Sequence, residues 1–447
     1  MLRTTMPQID ERQAPPAAAP ALPAGPGLRI AVVTETYPPE VNGVAMTIAR
    51  FVEGLRQRQH DVQLVRPRQH AADVPQRGEH DREVLVPGLP IPRYAHLKMG
   101  LPATRALCTL WARQRPDLVH LVTEGPLGWS ALRAARSLRL PISSDFRTNF
   151  HAYSTHYGLG WLRSPIVAYL RHFHNQTALT MVPTEAMRRE LSALGLRNLK
   201  VVARGVDTEL FTPERRSEDL RKSWGAGPHT TVALYVGRLA AEKNLDALMA
   251  AWRAMHQARP DSLLVLVGDG PARHELQRQC PQAVFAGLRS GVDLATHYAS
   301  ADVFLFPSVT ETFGNVTPEA MASGLVVLAY DYAAAAHLIR SGHNGLLAPF
   351  DDTQAFVRMA VQVASAPVAF AQLASAQPAS GHDLTTQAMR QRARHTATEM
   401  GWDGVVGQLE SALLQTARSG GAWAHAPGPD DLATSSCSEI IAPRFGF

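Results

Sequence analysis

The stretch VFLFPSVTETFGNVTPEAMASGLVVLA, residues 303–329, contains one complete unit of strand, loop, helix and strand. Val303–Phe306 and Val326–Ala329 are short, continuously apolar runs, which predict two buried strands. Between them, Pro318 indicates the first turn of a helix, where a residue without an N–H group is tolerated. Two strands separated by a helix predict a parallel pair joined by a right-handed crossover, and therefore an α/β fold.

The same alternation extends over most of the chain, and Val44–Gln59, for example, carries apolar residues at helical spacing. Two series of candidate strands are separated by the polar stretch Asp207–His229, which has two prolines and few apolar residues. The first series comprises Leu28–Thr34, Asp61–Arg66, Asp117–Val122, Leu179–Val182 and Lys200–Val202. The second comprises Thr231–Val236, Leu263–Val267, Ala283–Phe285, Val303–Phe306 and Val326–Ala329. Because open α/β sheets bind ligands beyond the carboxyl ends of their strands, we expect a cleft between two Rossmann-like domains.

A chain of 447 residues exceeds what one hydrophobic core usually supports, so two domains are expected. The predicted segments are a disordered leader rich in Ala and Pro (1–27), a first Rossmann-like domain (28–206), a linker (207–229), a second Rossmann-like domain (230–400), a C-terminal helix (401–419) and a flexible tail (420–447). The C-terminal helix has apolar residues with which to pack on either domain.

The formal net charge of +5 favours an anionic partner, for which a phosphate-bearing ligand, an acidic membrane surface and nucleic acid are all candidates. The wide spacing of Cys108, Cys280 and Cys437 argues against a disulfide framework and a zinc knuckle. Charged residues 10–12 interrupt the place where a signal peptide would have its apolar core, and no run of about 18 apolar residues occurs. We therefore expect a cytoplasmic protein.

The loop after the first predicted strand leads through Asn42 and Gly43 into a helix. Glycine lets the backbone approach a ligand closely, and a helix N-terminus offers free N–H groups to a phosphate. Asn-Gly is also common in plain turns. Further along, Arg238 and Lys243 follow the strand Thr231–Val236 and are placed either to neutralise a diphosphate in the cleft or to remain solvated loop charges.

Glu311 is expected in the loop after the strand Val303–Phe306, and Glu319 in the first turn of the following helix. Backbone N–H groups near Gly314 and Asn315 then face the cleft and are suited to holding a phosphate. A carboxylate in a first turn also stabilises the helix dipole, so Glu319 has a purely structural explanation as well.

These motifs together resemble a known family. Glu311 and Glu319, set in ETFG and PEAMASG, are similar to the paired-glutamate signature of the retaining glycosyltransferases of family 4, which have the GT-B fold. VGRLAAEKN (236–244) resembles the Arg and Lys pair of that family, and TETYPPEVNGVA (34–45) its N-terminal donor loop. The segments SDFRTNFHAYSTHYG (144–158) and LAYDYAAAAHLI (328–339) resemble the corresponding sequences of bacterial GDP-mannose-dependent α-mannosyltransferases and their sulfoquinovosyl and glucosyl relatives.

The resemblance implies a catalytic role for three residues: Arg238 and Lys243 would neutralise the leaving diphosphate, and Glu311 would bind sugar hydroxyls. It implies donor binding by Gly43, Gly314, Asn315, Val316 and Glu319, the last through the ribose. The first domain would take the acceptor and the second the nucleotide sugar. The implied reaction moves a hexose, with mannose from GDP-mannose preferred, to a lipid or glycan hydroxyl, without a cofactor or a metal ion. A transferase dependent on UDP-glucose or UDP-sulfoquinovose, and a non-catalytic nucleotide-sugar-binding protein, are the alternatives.

The sequence departs from the family at two places. Many relatives have a histidine before the Thr of the acceptor-side motif, where this chain has Arg147 before Thr148. Either Arg147 or the nearby His151 is the acceptor-side candidate, and His151 is equally compatible with a plain surface position. Relatives also often have Gly-Gly-x-x-Glu where this chain reads YAAAAH (332–337), so donor contacts by this loop are not implied.

An apolar and basic segment follows the acceptor-side motif. It consists of Trp161, Leu162, Ile166, Val167, Leu170 and Phe173, interleaved with Arg163, Arg171 and His172. Such a segment either contacts a lipid acceptor at the inner face of an anionic membrane or forms an ordinary helix with one face in the core.

Two other classes of protein fit the sequence less well. A dinucleotide-dependent oxidoreductase would need GxGxxG in the first strand-to-helix turn, which has only Asn42-Gly43. Nucleic-acid binding is disfavoured because no basic stripe is interleaved with aromatic residues. Phosphorylases and epimerases share the architecture, and donor hydrolysis or phosphate dependence separates them from transferases.

Overall fold

The computed structural model describes residues 27–40, 42–70, 72–76, 78, 81–91, 94–147, 163–365 and 386–423. The expected leader up to residue 26, the expected tail from residue 424 and the candidate His151 lie outside these ranges.

The first domain contains a parallel sheet that is covered by helices on both faces. Its strands are β1 (Arg29–Val33), β2 (Asp61–Pro67), β3 (Asp81–Val86), β4 (Gly88–Ile91), β5 (Tyr94–Gly100), β6 (Leu118–Leu121), β7 (Ile142–Asp145), β8 (Leu179–Val182) and β9 (Leu199–Val201). Its helices are α1 (Gly43–Gln57), α2 (Thr104–Arg113), α3 (Pro126–Ser137), α4 (Arg163–His174) and α5 (Glu185–Ala193). Seven strands pair in parallel in the order β3-β2-β1-β6-β7-β8-β9, and β4 and β5 form a separate antiparallel hairpin.

The second domain repeats this design with six strands. They are β10 (Thr231–Val236), β11 (Ser262–Val267), β12 (Val284–Gly287), β13 (Val303–Phe306), β14 (Val326–Tyr330) and β15 (Leu346–Ala348). The helices from the linker onward are α6 (Glu218–Ser223), α7 (Leu245–Ala258), α8 (Arg273–Gln279), α9 (Gly291–Ala299), α10 (Val316–Ala322), α11 (Ala333–Leu338), α12 (Thr353–Ser365), α13 (Thr386–Thr398) and α14 (Trp402–Trp423), with 3₁₀ turns at Pro213–Arg215 and Ala241–Lys243. All pairs are parallel, in the order β12-β11-β10-β13-β14-β15.

Every strand predicted from the sequence is present, with its ends within two residues of the expected positions. The prediction missed the hairpin and three members of the parallel sheets, which are β3, β7 and β15. The α/β fold class predicted from the alternation of strands and helices is therefore confirmed, and its sheets are larger than expected.

The C-terminal helix α14 returns to the first domain. Val405, Val406 and Leu409 are buried in the same apolar cluster as Phe51 and Val52 of α1. At the end of α1, Arg58 forms an ion pair with Glu410 at 2.7 Å. The helix therefore packs on the first domain rather than on the second. It ends at Trp423, four residues beyond the predicted end.

The structure also bears on the cysteines and on the question of membrane-spanning helices. Cys280 is a free, buried thiol, and Cys108 Sγ lies 3.5 Å from Ser137 Oγ. Among the helices that the structure describes, none combines the length and the apolar character needed to cross a membrane.

Candidate functional site

The candidate residues collect at one point of each sheet. In the first sheet β1 lies between β2 and β6, and in the second β10 lies between β11 and β13. In each sheet the chain therefore adds strands first on one side of the first strand and then on its other side. The loops after β1, β10 and β13 carry the residues singled out from the sequence, at the carboxyl ends of the strands. Such switch points are where open α/β sheets bind ligands.

The loop between β13 and α10 turns sharply before the helix begins. Gly314 has φ +89°, a left-handed conformation that favours glycine. Asn315 precedes α10, whose first residue is Val316, and the N–H of Glu319 donates to the carbonyl of Asn315 at 3.1 Å. Glu311 therefore lies in the loop and Glu319 in the first turn, as the sequence predicted.

Glu311 is held by two donors. Its Oε1 accepts hydrogen bonds from Lys243 Nζ at 2.5 Å and from Ser308 Oγ at 2.8 Å. Burial acts to raise the pKa of Glu311, but the charge and hydrogen bond of Lys243, the hydroxyl of Ser308 and the charge of Arg204 outweigh it and lower that pKa. The structure thus brings together Lys243 and Glu311, which are 68 positions apart in the chain.

The second candidate cation, Arg238, is more exposed than Lys243. Its Nη1 lies 3.3 Å from Glu242 Oε1, and its side chain is 41% exposed. The neighbouring loop approaches so closely that a Cβ on Gly268 would lie 1.9 Å from the carbonyl oxygen of Gly237. Both cations therefore stand on a tightly packed pair of loops at the carboxyl edge of β10 and β11, which presents them to the cleft.

Glu319 has a different environment from Glu311. It accepts a hydrogen bond from Tyr298 Oη at 2.9 Å. Burial raises its pKa to about 7, and the bond from Tyr298 only partly opposes this. Glu319 is thus a partly protonated carboxyl at neutral pH with Tyr298 as its hydrogen-bond donor, whereas Glu311 is ionised beside Lys243.

Gly43 brings the first domain into contact with this region. Asn42 caps α1 by accepting from the N–H groups of Val44 and Ala45. A Cβ added to Gly43 would lie 3.3 Å from Arg204 Nη1 and 3.6 Å from Asn315 Nδ2. The glycine loop of the first domain and the β13–α10 loop of the second therefore face each other across the cleft.

Arg147, the acceptor-side candidate, is not a surface residue. It is 1% exposed, with its guanidinium 5.0 Å from the ring centroid of Phe51 and its Nε 3.0 Å from Asp145 Oδ2. Burial acts to raise the pKa of Asp145, but Arg147 and His120 outweigh it and lower that pKa to about 2. Arg147 is thus part of a buried charge cluster under α1.

Two residues that received no role from the sequence also lie near this centre. Arg204 is 3% exposed, and its Nη1 donates to Asn315 Oδ1 at 3.1 Å. Glu35 accepts from the N–H of Leu127 at 2.8 Å, and burial raises its pKa to about 7. The available signal for Arg204 was a cation just after the predicted strand Lys200–Val202, the same position relative to a strand that drew attention to Arg238.

The remaining sequence candidates lie outside this centre. In α4, Leu170 and Phe173 are buried, which favours the ordinary core-facing helix, and Trp161 and Leu162 lie outside the described residues. Asp352 caps α12 by accepting from the N–H of Ala355. The loop at residues 332–337 forms α11, and the N–H of Ala334 donates to the carbonyl of Phe313 at 2.8 Å, so the alanine-rich segment supports the β13–α10 loop.

Comparison with known proteins follows the same division of the chain. A family model described as "Glycosyltransferase Family 4" matches residues 41–210, and one described as "Glycosyl transferases group 1" matches residues 230–365. A GDP-mannose-dependent alpha-mannosyltransferase of Mycobacterium tuberculosis is 37% identical over 327 residues, which cover 72% of this chain and 84% of that protein. Its namesake from Corynebacterium glutamicum is 35% identical, over 72% of this chain and 76% of that protein.

Two further similarities extend the comparison. The sulfoquinovosyl transferase SQD2 of Arabidopsis thaliana is 32% identical over 67% of this chain and 59% of that protein. Among solved structures, a sucrose-phosphate synthase from Thermosynechococcus elongatus superposes with a TM-score of 0.70 at 18% identity, over 88% of this chain and 100% of that chain. Anabaena Alr3699/HepE in complex with UDP gives a TM-score of 0.67 at 18% identity, over 87% and 100%. At these identities the structures bear on the fold alone.

The family resemblance read from the motifs is thereby confirmed. The chain belongs to family 4 of the glycosyltransferases, and it is an enzyme of the GT-B fold that transfers a hexose from a nucleotide-sugar donor.

Proposed function

We propose that this enzyme transfers mannose from GDP-mannose to a hydroxyl of a lipid or glycan acceptor, with retention of the anomeric configuration and without a metal ion. The observation that carries the proposal is the Lys243–Glu311 pair, which adjoins the loop whose Asn315 lies opposite Gly43 across the cleft. The preference for GDP-mannose rests on relatives at 35–37% identity that are named for that donor.

The geometry supports a role for the two cations at the leaving group. In the free protein Lys243 pairs with Glu311, and Arg238 pairs with Glu242. A bound diphosphate offers both cations a stronger partner, which releases Glu311 to accept from sugar hydroxyls. Cations fixed before the reaction stabilise the charge that develops on the departing diphosphate.

The reaction on this proposal needs no carboxylate nucleophile. The bond between the anomeric carbon and the diphosphate oxygen breaks, and the acceptor oxygen bonds to that carbon on the same face. The acceptor proton passes to an oxygen of the departing diphosphate. Gly43, Gly314, Asn315 and Val316 supply backbone contacts to the phosphates and the sugar, and Glu319 binds the ribose. On this proposal, the acceptor-side role falls to Arg147 or His151.

A donor screen tests the proposal. Purified protein is incubated with GDP-mannose, UDP-glucose and UDP-sulfoquinovose, and binding and slow donor hydrolysis are measured. We expect GDP-mannose to bind and hydrolyse fastest. Preference for a UDP-sugar would support the second candidate, which SQD2 at 32% identity favours. Binding of a donor without turnover in the presence of acceptor lipids and glycans would instead indicate a nucleotide-sugar-binding protein.

Retention and metal independence have their own tests. The anomeric configuration of the product, determined by NMR, is expected to match that of the donor, and an inverted product would contradict the proposal. Transfer is expected to continue at nearly full rate in excess EDTA. Complete loss of activity in EDTA, restored by one divalent metal ion, would overturn the metal-free mechanism.

The acceptor and the site of action are proposed more broadly. The net charge of +5 suits contact with an anionic membrane surface from the cytoplasmic side, where a lipid acceptor would be presented. Co-sedimentation with vesicles that contain anionic lipid, compared with neutral vesicles, tests this contact. Equal binding to both kinds of vesicle would argue against an electrostatic membrane association.

A further inference from the structure

Arg204 is a buried cation whose charge has few partners. It is 3% exposed, and its Nη1 donates a hydrogen bond to the neutral amide oxygen of Asn315 at 3.1 Å. Its Nε and Nη2 are buried without a hydrogen-bond partner in the part of the chain that the structure describes. Leaving buried N–H groups of a guanidinium unpaired is costly, so the site is built for a ligand or is strained.

Within the described ranges, the two carboxylates whose charges act on Arg204 are already paired with other groups. Asp145, whose charge acts on Arg204, already lies between Arg147 and His120, at 3.0 and 3.4 Å. Glu311 in the second domain is bonded to Lys243. Burial first, and then repulsion by Arg147, lower the pKa of Arg204 to about 9, while Asp145 and Glu311 oppose this only in part.

The position of Arg204 indicates which kind of ligand would pair with its Nε and Nη2 groups. Its Nη1 lies 3.3 Å from the Cβ position of Gly43 and is bonded to Asn315, so both loops proposed to approach the donor flank it. Its guanidinium lies 5.8 Å from the ring centroid of Phe313, the residue before Gly314. Arg204 is therefore attached to the first domain but surrounded by donor-binding elements of both domains.

The geometry points to Arg204 as a third diphosphate-binding cation, which contacts the phosphate next to the transferred sugar from the first domain while Arg238 and Lys243 hold the diphosphate from the second. Guanidinium is suited to this because its fork of N–H groups matches phosphate oxygens. This inference rests on the proposed placement of the diphosphate, but it does not depend on which base or sugar the donor carries.

Calorimetry on the full-length Arg204→Gln variant tests the assignment with GDP, GMP, UDP and UMP as probes. We expect the affinity for the diphosphate that wild type binds to fall about tenfold to a hundredfold, the usual range for loss of a charged hydrogen bond. Affinity for the matching monophosphate should change less than threefold or so, because it lacks the phosphate next to the sugar. An unchanged affinity for the diphosphate, or an equal loss for diphosphate and monophosphate, would overturn the assignment.

Arg50→Gln is the matched control. Arg50 lies on α1 of the same domain, forms an ion pair with Asp207 and is 46% exposed, so the variant removes the same charge from a more exposed position. Its nucleotide affinities should stay near those of wild type. If wild type binds UDP but not GDP, the donor proposal fails, and the Arg204 comparison is made with UDP and UMP instead.

Thermal melting distinguishes a ligand-binding role of Arg204 from a purely structural one, in which its bond to Asn315 acts as a latch between the domains. A latch to Asn315 predicts a lower melting temperature for free Arg204→Gln, with an unchanged increase when the diphosphate is added. A ligand-binding cation predicts a melting temperature at least as high as that of free wild type, because a poorly paired buried charge is removed, and a smaller increase with the diphosphate. Arg204→Lys, which keeps the charge but loses the fork, should bind the diphosphate with intermediate affinity.

Discussion

Glu311 lies between a lysine of its own domain and an arginine of the other. Lys243 bonds it directly, and the charge of Arg204 helps to lower its pKa. A carboxylate kept ionised in a largely buried place is a strong acceptor for sugar hydroxyls, because it has little bulk water to compete with. The loop that carries Glu311 turns at Gly314, whose φ of +89° is a left-handed conformation that favours glycine.

Replacement of Glu311 should therefore affect the chemical step. For Glu311→Ala we expect kcat to fall about a hundredfold or more, because the lost contacts orient the reacting sugar. Steady-state kinetics with the preferred donor measures this. Glu83→Gln is a matched control, since Glu83 also pairs with a buried arginine, Arg66, but on the edge strand β3. Unchanged kcat in Glu311→Ala, at a normal melting temperature, would defeat the assignment.

Glu319 predicts a pH dependence of donor binding. Its carboxylate accepts from ribose hydroxyls when ionised, and burial raises its pKa to about 7. We therefore expect kcat/KM for the donor to increase with pH through about 7 and then to level off, and Glu319→Gln to lose this limb. Glu35, whose pKa is also raised to about 7, provides the control. Persistence of the limb in Glu319→Gln, with its loss in Glu35→Gln, would assign it to Glu35.

The same group has a predictable effect on stability. The folded chain binds the Glu319 proton more tightly than the unfolded chain, since the pKa is raised from 4.5 to about 7. Its contribution to the free energy of unfolding is therefore largest below pH 4.5 and decreases as the pH rises through 7. Donor binding, which favours the ionised form, should reduce this loss.

Lys243 should act on the leaving group. Lys243→Ala is expected to cost about 3 kcal/mol of transition-state stabilisation, as for one preorganised electrostatic donor. It should also weaken binding of the nucleoside diphosphate more than that of the monophosphate. Lys222→Ala, which removes an exposed lysine paired with Asp219, is the control. Equal losses for both nucleotides in calorimetry would place Lys243 elsewhere.

At the scale of elements, β7 shows why a polar strand was missed in the sequence prediction. Ile142–Asp145 forms β7 in the middle of the first sheet, although three of its four residues are polar. Ser144 accepts or donates hydrogen bonds with His174, Thr177 and Thr180, so partners distant in sequence make this polar strand tolerable in the core. A pattern of hydrophobicity along the chain has no access to such partners.

The site shows the same limit. Gly43, Arg238, Lys243, Glu311 and Glu319 stand in recognisable motifs, and their loops were expected at strand ends. Arg204 follows a strand too, but its significance comes from Gly43 and Asn315, which lie 161 and 111 positions away. These residues come close together only when the two domains are folded and in contact. Its burial, which distinguishes it from a solvated loop charge, is likewise a property of the fold.

The packing of α14 on α1 predicts that Gly54→Ala changes the free energy of unfolding in opposite directions in two backgrounds. A Cβ on Gly54 would lie 2.6 Å from Val406 Cγ2, and valine has little freedom to move away. Gly54→Ala should therefore destabilise the protein by about 1–3 kcal/mol through overpacking. In a Val406→Ala background the same change should instead stabilise it by up to about 1 kcal/mol, because alanine favours the helix over glycine. Chemical denaturation of the four variants measures both effects, and a loss of similar size in both backgrounds would contradict this packing.

At the scale of the whole molecule, the proposed donor contacts are divided between the domains. Gly43 and Arg204 belong to the first, and Arg238, Lys243 and Glu311 to the second. A ligand that contacts both sets binds most tightly when the domains are together, so it shifts the population toward the closed arrangement. The hydrogen bond between Arg204 and Asn315 shows that the described structure is already one in which the two loops meet.

Small-angle scattering on wild type and Asn315→Ala tests this coupling. The variant removes the side-chain contact across the cleft but leaves the backbone groups near Gly314 in place. Without a donor we expect its radius of gyration to exceed that of wild type, because the free domains lose a bridging bond. Saturating nucleotide sugar should bring both proteins to the same smaller value, since donor contacts then connect the domains. Equal radii in all four samples would show that neither the Arg204–Asn315 bond nor the donor controls closure, and the domains would then have to be joined by contacts outside the cleft.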